Sequence, residues 1–193
     1  MVSLEEETTM QPAQIDFDRI KRRTRGVWMA GDFGRIARYA AKFAEEFVHR
    51  LRIQPGTRVL DVACGTGNLA IPAARQGARV WGVDIATNLL EQARQRASAV
   101  GLPALFEEGD AERFVPPPAG IPAPVLWGQE QVVKQRLGPY TSAIQTNRIA
   151  VPFGFPFAPS EVVRFFRRYF GPAQVAFARL SSDAQLAYTR AAQ

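Results

Sequence analysis

The stretch with the most specific residue types and spacing is Val59-Leu-Asp-Val-Ala-Cys-Gly-Thr-Gly-Asn-Leu-Ala70. An apolar run carrying Asp61 leads, four residues on, into Gly65-Thr-Gly67. A strand that enters a G-x-G turn and then a helix directs backbone N–H groups and a helix N-terminus at whatever sits above the strand end. Glycine suits such a turn because it adopts left-handed backbone angles and admits close approach. Seventeen residues past Gly67, Asp84 closes a second apolar run, where a carboxylate can accept hydrogen bonds from two adjacent ribose hydroxyls. A third run ends in Gly109-Asp110-Ala111. Three acids at three strand ends beside one glycine loop define a nucleoside-binding edge.

Two ligand classes fit such an edge. The spacing Gly65-x-Gly67-x-x-Ala70 matches the nicotinamide dinucleotide fingerprint, which tolerates alanine at its third position. Asp61 discriminates between the classes, because a carboxylate four residues before the first glycine would lie near the pyrophosphate of a dinucleotide and repel it. S-adenosyl-L-methionine (SAM) has no phosphate and carries a sulfonium cation and an amino group, so an acid there is favourable. An NAD(P)-binding oxidoreductase is therefore the remote alternative.

The pattern D-x-A-C-G-T-G-N, with an acid at the second strand end and G-D-A at the third, resembles the class I SAM-dependent methyltransferases, in particular the small-molecule branch of the ubiquinone/menaquinone C-methyltransferases. The resemblance is strong over 56–112 and looser over 28–39 and 121–180. It implies that Asp61 and the loop Ala63, Cys64, Gly65 and Gly67 hold the methionine end of SAM. Asp84 would grip the ribose, Ile85 would pack on the adenine, and Asp110 would accept from the adenine amino group with Ala111 beside it. Trp28, with Gly31 and Asp32, would close over the cofactor.

The elements that position these residues follow from periodicity. Strands are predicted over 58–63, 78–84 and 104–110, separated by helices over 67–76 and 87–99, the second with Leu89, Leu90, Ala93 and Ala97 on one side. That alternation predicts an α/β fold, a Rossmann-like parallel sheet with helices on both faces. Pro72 should kink the first of these helices. Upstream, Phe33, Ile36, Ala40, Phe43, Phe47 and Leu51 form one apolar stripe on a helix that ends before Pro55-Gly56. Residues 1–25 read as a mobile N-terminal arm whose basic run Lys21, Arg22, Arg23, Arg25 is a solvated turn, and 26–113 as the SAM-binding core. Residues 114–193 read as a proline-rich linker and an α/β, aromatic C-terminal segment. Within that segment a helix is expected at 129–136 and a strand at 140–151. An extended edge follows with Phe153, Phe155 and Phe157 on one side, then a helix over 160–170 capped by Ser160, and two shorter helices.

By the resemblance, a fourth and a fifth strand should follow the third-strand acid. Instead Gly109-Asp-Ala-Glu-Arg113 runs directly into Phe114-Val-Pro-Pro-Pro, as though several dozen residues were absent at about 112 to 114. Without those strands the first strand becomes a sheet edge, which invites a homo-oligomer.

Composition narrows the rest. The chain of 193 residues carries one cysteine and one histidine, Cys64 and His49, which excludes an internal disulfide, a Cys/His zinc cluster and a Cys-His dyad; no metal is expected. Cys64 reads as a small loop residue rather than a nucleophile, and His49 as a residue on the polar side of its helix. No stretch has the length or apolarity of a membrane span or a signal peptide, so a cytoplasmic protein is expected. The net charge is +6, and residues 114–193 hold 8 basic against 3 acidic residues. The basic side chains are 21 Arg and 3 Lys, a bias that gene composition can produce, so this excess reads as a solvated face and nucleic acid is not an expected partner. The resulting reading is a methyltransferase that moves a methyl group from SAM to a small, apolar acceptor by in-line displacement, with no identifiable catalytic base. The alternative is a non-catalytic or truncated SAM-binding protein of the same family.

Overall fold

The structure, a computed structural model, describes residues 17–109, 128–151 and 153–191. Helix α1 spans Phe17–Met29, α2 Gly34–Ala37, and a 3-10 turn over Arg38–Ala40 leads into α3, Ala41–Leu51. The Rossmann-like part then runs β1 Arg58–Val62, α4 Ala70–Arg75, β2 Arg79–Asp84, α5 Thr87–Ala99 and β3 Ala104–Glu108. After the junction come α6 Glu130–Leu137, a 3-10 turn Gly138–Tyr140, α7 Pro159–Tyr169, α8 Gly171–Phe177 and α9 Ser182–Ala191.

The three strands form one parallel sheet in the order β1-β2-β3. Leu60 lies opposite Trp81 and Trp81 opposite Leu105, while Asp61 lies opposite Gly82 and Gly82 opposite Phe106. Alternation along each strand sends one set of side chains inward. Val80 and Phe106 join Val48 of α3, Ala70, Ile71, Ala73 and Ala74 of α4, and Leu90, Ala93 and Ala97 of α5 in a single buried cluster. Small residues dominate α4 and the inner side of α5, which lets both helices lie close to the strands. Gly82 serves the same purpose, since a Cβ there would stand 2.7 Å from the Phe106 ring and 2.9 Å from Cys64 Sγ.

Several expectations are corrected here. The expected α/β fold with a parallel sheet is present; among the described residues the helices packed on it lie on the face of Val80 and Phe106, and the other face shows Leu60, Trp81 and Leu105 at 50%, 48% and 62% exposure. The continuous helix over 33–51 is broken by the 3-10 turn, which shifts the helical phase so that Ile36 and Val48 are buried while Phe47 and Leu51 are exposed. Pro72 falls in the first turn of α4, where a missing N–H is not needed, so it does not interrupt the helix interior. Residues 17–25, assigned to the arm, are helical, because Arg and Lys are good helix formers and Arg25 is anchored 3.0 Å from Glu108 of β3. Residues 1–16 lie outside the described residues.

In the C-terminal segment, 141–151 form no strand, and nearly all of these residues are exposed. Helix α7 starts one residue earlier than expected, with Pro159 preset at its first position and Ala158 before it, so Ser160 is not the cap. The rings of Phe155, Phe157, Phe165 and Phe166 meet at centroid distances of 5.3 to 5.8 Å, and Tyr39 stands 4.9 Å from Phe155.

The burial pattern separates two leucines that a stripe-based reading would treat alike. Replacing Leu90, which is 0% exposed, by alanine is expected to lower stability by about 2–5 kcal/mol. Leu51→Ala, at 53% exposure, is expected to change it by less than about 1 kcal/mol. Urea denaturation followed by circular dichroism measures both.

Candidate functional site

The site is assembled where β1 and β2 end. Ala63, Gly65 and Gly67 take φ values of +59°, +52° and +79°, so the chain leaving β1 turns through three left-handed residues before α4 begins. At Gly67 this freedom coincides with tight packing, since a Cβ would stand 3.2 Å from Ile71 Cδ1. At Gly65 a Cβ would meet nothing within 4 Å; the loop is open there.

Asp84, only 8% exposed, organises this turn. Its Oδ2 accepts from the Gly65 N–H at 2.8 Å and its Oδ1 from the Ala86 N–H at 2.8 Å. The second bond closes an Asx-type turn that leads into α5. Each oxygen retains capacity for a further donor. Asp61 Oδ2 accepts from the Ala70 N–H, at 3.0 Å, at the start of α4. Among the described residues its other oxygen accepts no hydrogen bond. Burial pushes the Asp61 carboxyl up to about 6, against the opposing Ala70 N–H, and the negative charge of Asp84 adds to the rise. The two acids therefore share one neighbourhood of negative potential.

Both glycine N–H groups of the loop are used. Gly65 N–H goes to Asp84 and Gly67 N–H to the Cys64 carbonyl at 2.8 Å. A pyrophosphate would need such donors free and would face two carboxylates, whereas a cationic ligand faces favourable charge. Cys64 itself is buried at 7% exposure in the core cluster. Burial, with Asp61 and Asp84 adding, pushes its thiol up to about 12, so it stays a protonated packing residue. Its side chain does not face the loop's open side.

Ile85 is half-buried directly after Asp84. Asp110, Ala111 and the junction at about 112 to 114 lie outside the described residues. Trp28 is held in an aromatic group, edge-on to Phe33 at 5.4 Å and to Phe170 at 5.9 Å. Its neighbours approach the site more directly. Asn88 Nδ2 donates to the Gly31 carbonyl at 3.1 Å, Gln92 Nε2 donates to Asp32 Oδ1 at 3.0 Å, and Thr87 Oγ1 lies 3.8 Å from Met29 Sδ. The segment 29–32 is thereby clasped against the first turns of α5, beside the end of β2.

Four side chains not singled out from the sequence, Arg96, Asn68, Asn88 and Gln92, fasten this region. Arg96 Nη1 donates to the Thr66 carbonyl at 2.6 Å, to Thr66 Oγ1 at 3.1 Å and to Asn68 Oδ1 at 2.8 Å. Asn68 Nδ2 in turn donates to the Ala37 carbonyl at 2.7 Å. The loop is thus fastened to α5 on one side and to the end of α2 on the other. The available signal was helical spacing: Arg96 lies seven residues after Leu89, and Asn88 and Gln92 are four apart, each on a shared helix face. Among the described residues no group of three His, Cys, Asp or Glu could hold a metal ion, and no helix is long and apolar enough to cross a membrane.

Residues 59–133 match the family model of a methyltransferase domain. An uncharacterised protein of Mycobacterium tuberculosis is 27% identical over 227 aligned positions, covering 86% of this chain and 83% of its own length. A second uncharacterised protein of that organism is 38% identical over 89 residues, covering 46% of this chain and 32% of its own. The solved SAM-dependent methyltransferase of Geobacter sulfurreducens, in complex with S-adenosyl-L-homocysteine, is 34% identical with a TM-score of 0.36, over 38% of this chain and 31% of that one. This chain thus spans less than a third of that solved chain. The 227 aligned positions exceed the whole 193-residue chain, so the first of these relatives carries several dozen residues that have no counterpart here. The ubiquinone/menaquinone branch is not among these findings.

Asp61 makes stability depend on pH with a defined sign. Its folded value of about 6 lies above the unfolded value near 4, so between those limits the folded chain holds the proton more tightly. Its contribution to stability is lost as pH rises through that window. Asp61→Asn is therefore expected to gain on wild type by about 1–3 kcal/mol between pH 4 and pH 7, read from urea unfolding at both pH values. A constant difference would show that Asp61 titrates normally.

Proposed function

We propose that the chain binds SAM at the ends of β1 and β2 and transfers its methyl group to a small, apolar acceptor. The observation that carries this reading is the pairing of two carboxylates, Asp61 and Asp84, across a left-handed loop in which both glycine N–H groups, of Gly65 and Gly67, are already occupied. Such a site repels phosphate and favours a ligand with a sulfonium and an ammonium group. Asp61 would face the methionine end, Asp84 the ribose and Ile85 the adenine, with Gly31 and Asp32 closing the side nearest α5. Asp110 and Ala111 complete the set by resemblance.

In such a transfer the acceptor atom bonds to the methyl carbon as the carbon–sulfur bond breaks, and the electron pair stays on sulfur, giving S-adenosyl-L-homocysteine. The protein's share is alignment, which can supply several kcal/mol of the barrier. A base is needed only where the acceptor must lose a proton, and no residue of this chain is assigned that part. The half-buried aromatic group of Tyr39, Phe155, Phe157 and Phe165 supports an apolar acceptor. A second reading, a SAM-binding protein without turnover, is favoured by the stretch of several dozen residues that the mycobacterial relative carries and this chain lacks.

Calorimetric titration tests the binding reading. Wild type is expected to bind SAM and S-adenosyl-L-homocysteine, with affinity for SAM falling below about pH 6 as Asp61 takes up its proton. Asp84→Ala is expected to lose at least about tenfold. Binding of NADH without SAM would overturn the assignment. Single-turnover assays with labelled SAM across quinone, phenol and amine acceptors separate the two readings: transfer to any of them establishes the enzyme, and binding without transfer favours the non-catalytic protein.

A further inference from the structure

The sheet face that no described helix covers is ordered by charge as well as by apolarity. Alternation and register divide it into three rows across the strands. Arg58 and Arg79 stand side by side where β1 and β2 begin; Leu60, Trp81 and Leu105 form the middle row; Val62, Val83 and Glu107 form the row at the strand ends. Both arginines and Glu107 are exposed, as are Leu60, Trp81 and Leu105 in the middle row, at 50%, 48% and 62%. A groove of about 830 Å³ runs over this face, lined by residues that include Leu60, Trp81, Leu105 and Pro103. Single exposed leucines need no explanation, but three contiguous large apolar side chains on one sheet face mark an interaction surface.

The pattern is self-complementary. A two-fold axis lying in the interface and perpendicular to the strands reverses strand direction between two copies while keeping each strand over its counterpart. The arginine end of one copy then lies over the Glu107 end of the other, and the two Leu60-Trp81-Leu105 rows meet at the centre. A two-fold along the strands would instead set arginines over arginines. Face-to-face packing of two twisted sheets about 10 Å apart is an ordinary arrangement, and an isologous interface requires only that one patch complement itself.

We propose that this face is the interface of a homodimer, in which a second copy of the chain covers Leu60, Trp81 and Leu105 and Arg79 of each copy approaches Glu107 of the other. Pairing through the open β1 edge would leave these side chains in water; face-to-face docking removes them from it. The cofactor-side acids Asp61 and Asp84 lie on the opposite side of the sheet, so the interface and the proposed site are independent.

Sedimentation of the full chain at about 100 µM, well above the Kd expected of a small interface, gives the first readout. A particle of twice the 21.3 kDa chain mass is expected. Trp81→Glu and, as a second variant, Leu105→Glu are expected to be monomeric with an unchanged far-ultraviolet spectrum, because both side chains are already exposed in the single chain. Glu107→Arg is expected to weaken the dimer at least about tenfold, the scale of a lost charge pair at an interface. Adding Arg79→Glu to it is expected to restore association. A monomeric wild type would overturn the proposal, as would a dimer that survives both Trp81→Glu and Leu105→Glu, which would locate the contact at the β1 edge. Failure of the charge swap to restore association would overturn the proposed two-fold.

Discussion

The arrangement rests on one carboxylate. Asp84 ends β2 and bonds backwards to Gly65 of the preceding loop and forwards to Ala86 at the entry to α5. These two bonds join the exit of β1, the exit of β2 and the start of the next helix into one unit. A buried carboxylate is costly unless donors surround it, and backbone N–H groups at fixed positions are the least adjustable donors available. The turn must therefore bring Gly65 to Asp84, which accounts for the three left-handed residues in this short span. The same acid raises the negative potential at Asp61, so the clasp that shapes the loop also concentrates negative charge beside it.

A second layer of hydrogen bonds fastens the loop to its neighbours. Arg96 and Asn68 hold its outer side, and Asn88 and Gln92 draw segment 29–32 over the first turns of α5. That segment is fixed in turn by close contact with the C-terminal helices. A Cβ on Gly31 would stand 2.7 Å from the Gly171 backbone nitrogen, so α1 and α8 can approach only because both positions are glycine. The aromatic group of Trp28, Phe33 and Phe170 lies beside this contact. The N-terminal and C-terminal segments thus meet each other next to the proposed site rather than extending the sheet.

The absence of further strands among the described residues has a direct physical outcome. In a sheet packed on both faces, Leu60, Trp81 and Leu105 would be core residues, and their types suit that environment. Here α3, α4 and α5 cover the inner face while the outer face keeps its core-like composition without a described cover. A related protein with several dozen additional residues within the aligned span has material that this chain lacks.

The local sequence was sufficient for the cofactor-side half. Short apolar runs, G-x-G and an acid at each strand end dictate β1, α4, β2, α5 and β3, because period and turn chemistry act over a few residues and leave little freedom. Contacts distant in sequence were not legible. The 3-10 turn at Arg38–Ala40 altered which residues of the upstream stripe are buried, and the expected strand at 140–151 found no neighbour to pair with. The basic run at 21–25 became a helix once Arg25 met Glu108. Arg96 could be assigned to a helix face, but its target could not be named. Sequence alone determined the glycine loop and the acids at the strand ends that the proposed site draws on. Only the tertiary structure decided that both Asp61 and Asp84 are also structural clasps and that no described helix covers one sheet face, because hydrogen-bond partners and burial depend on where distant segments come to rest.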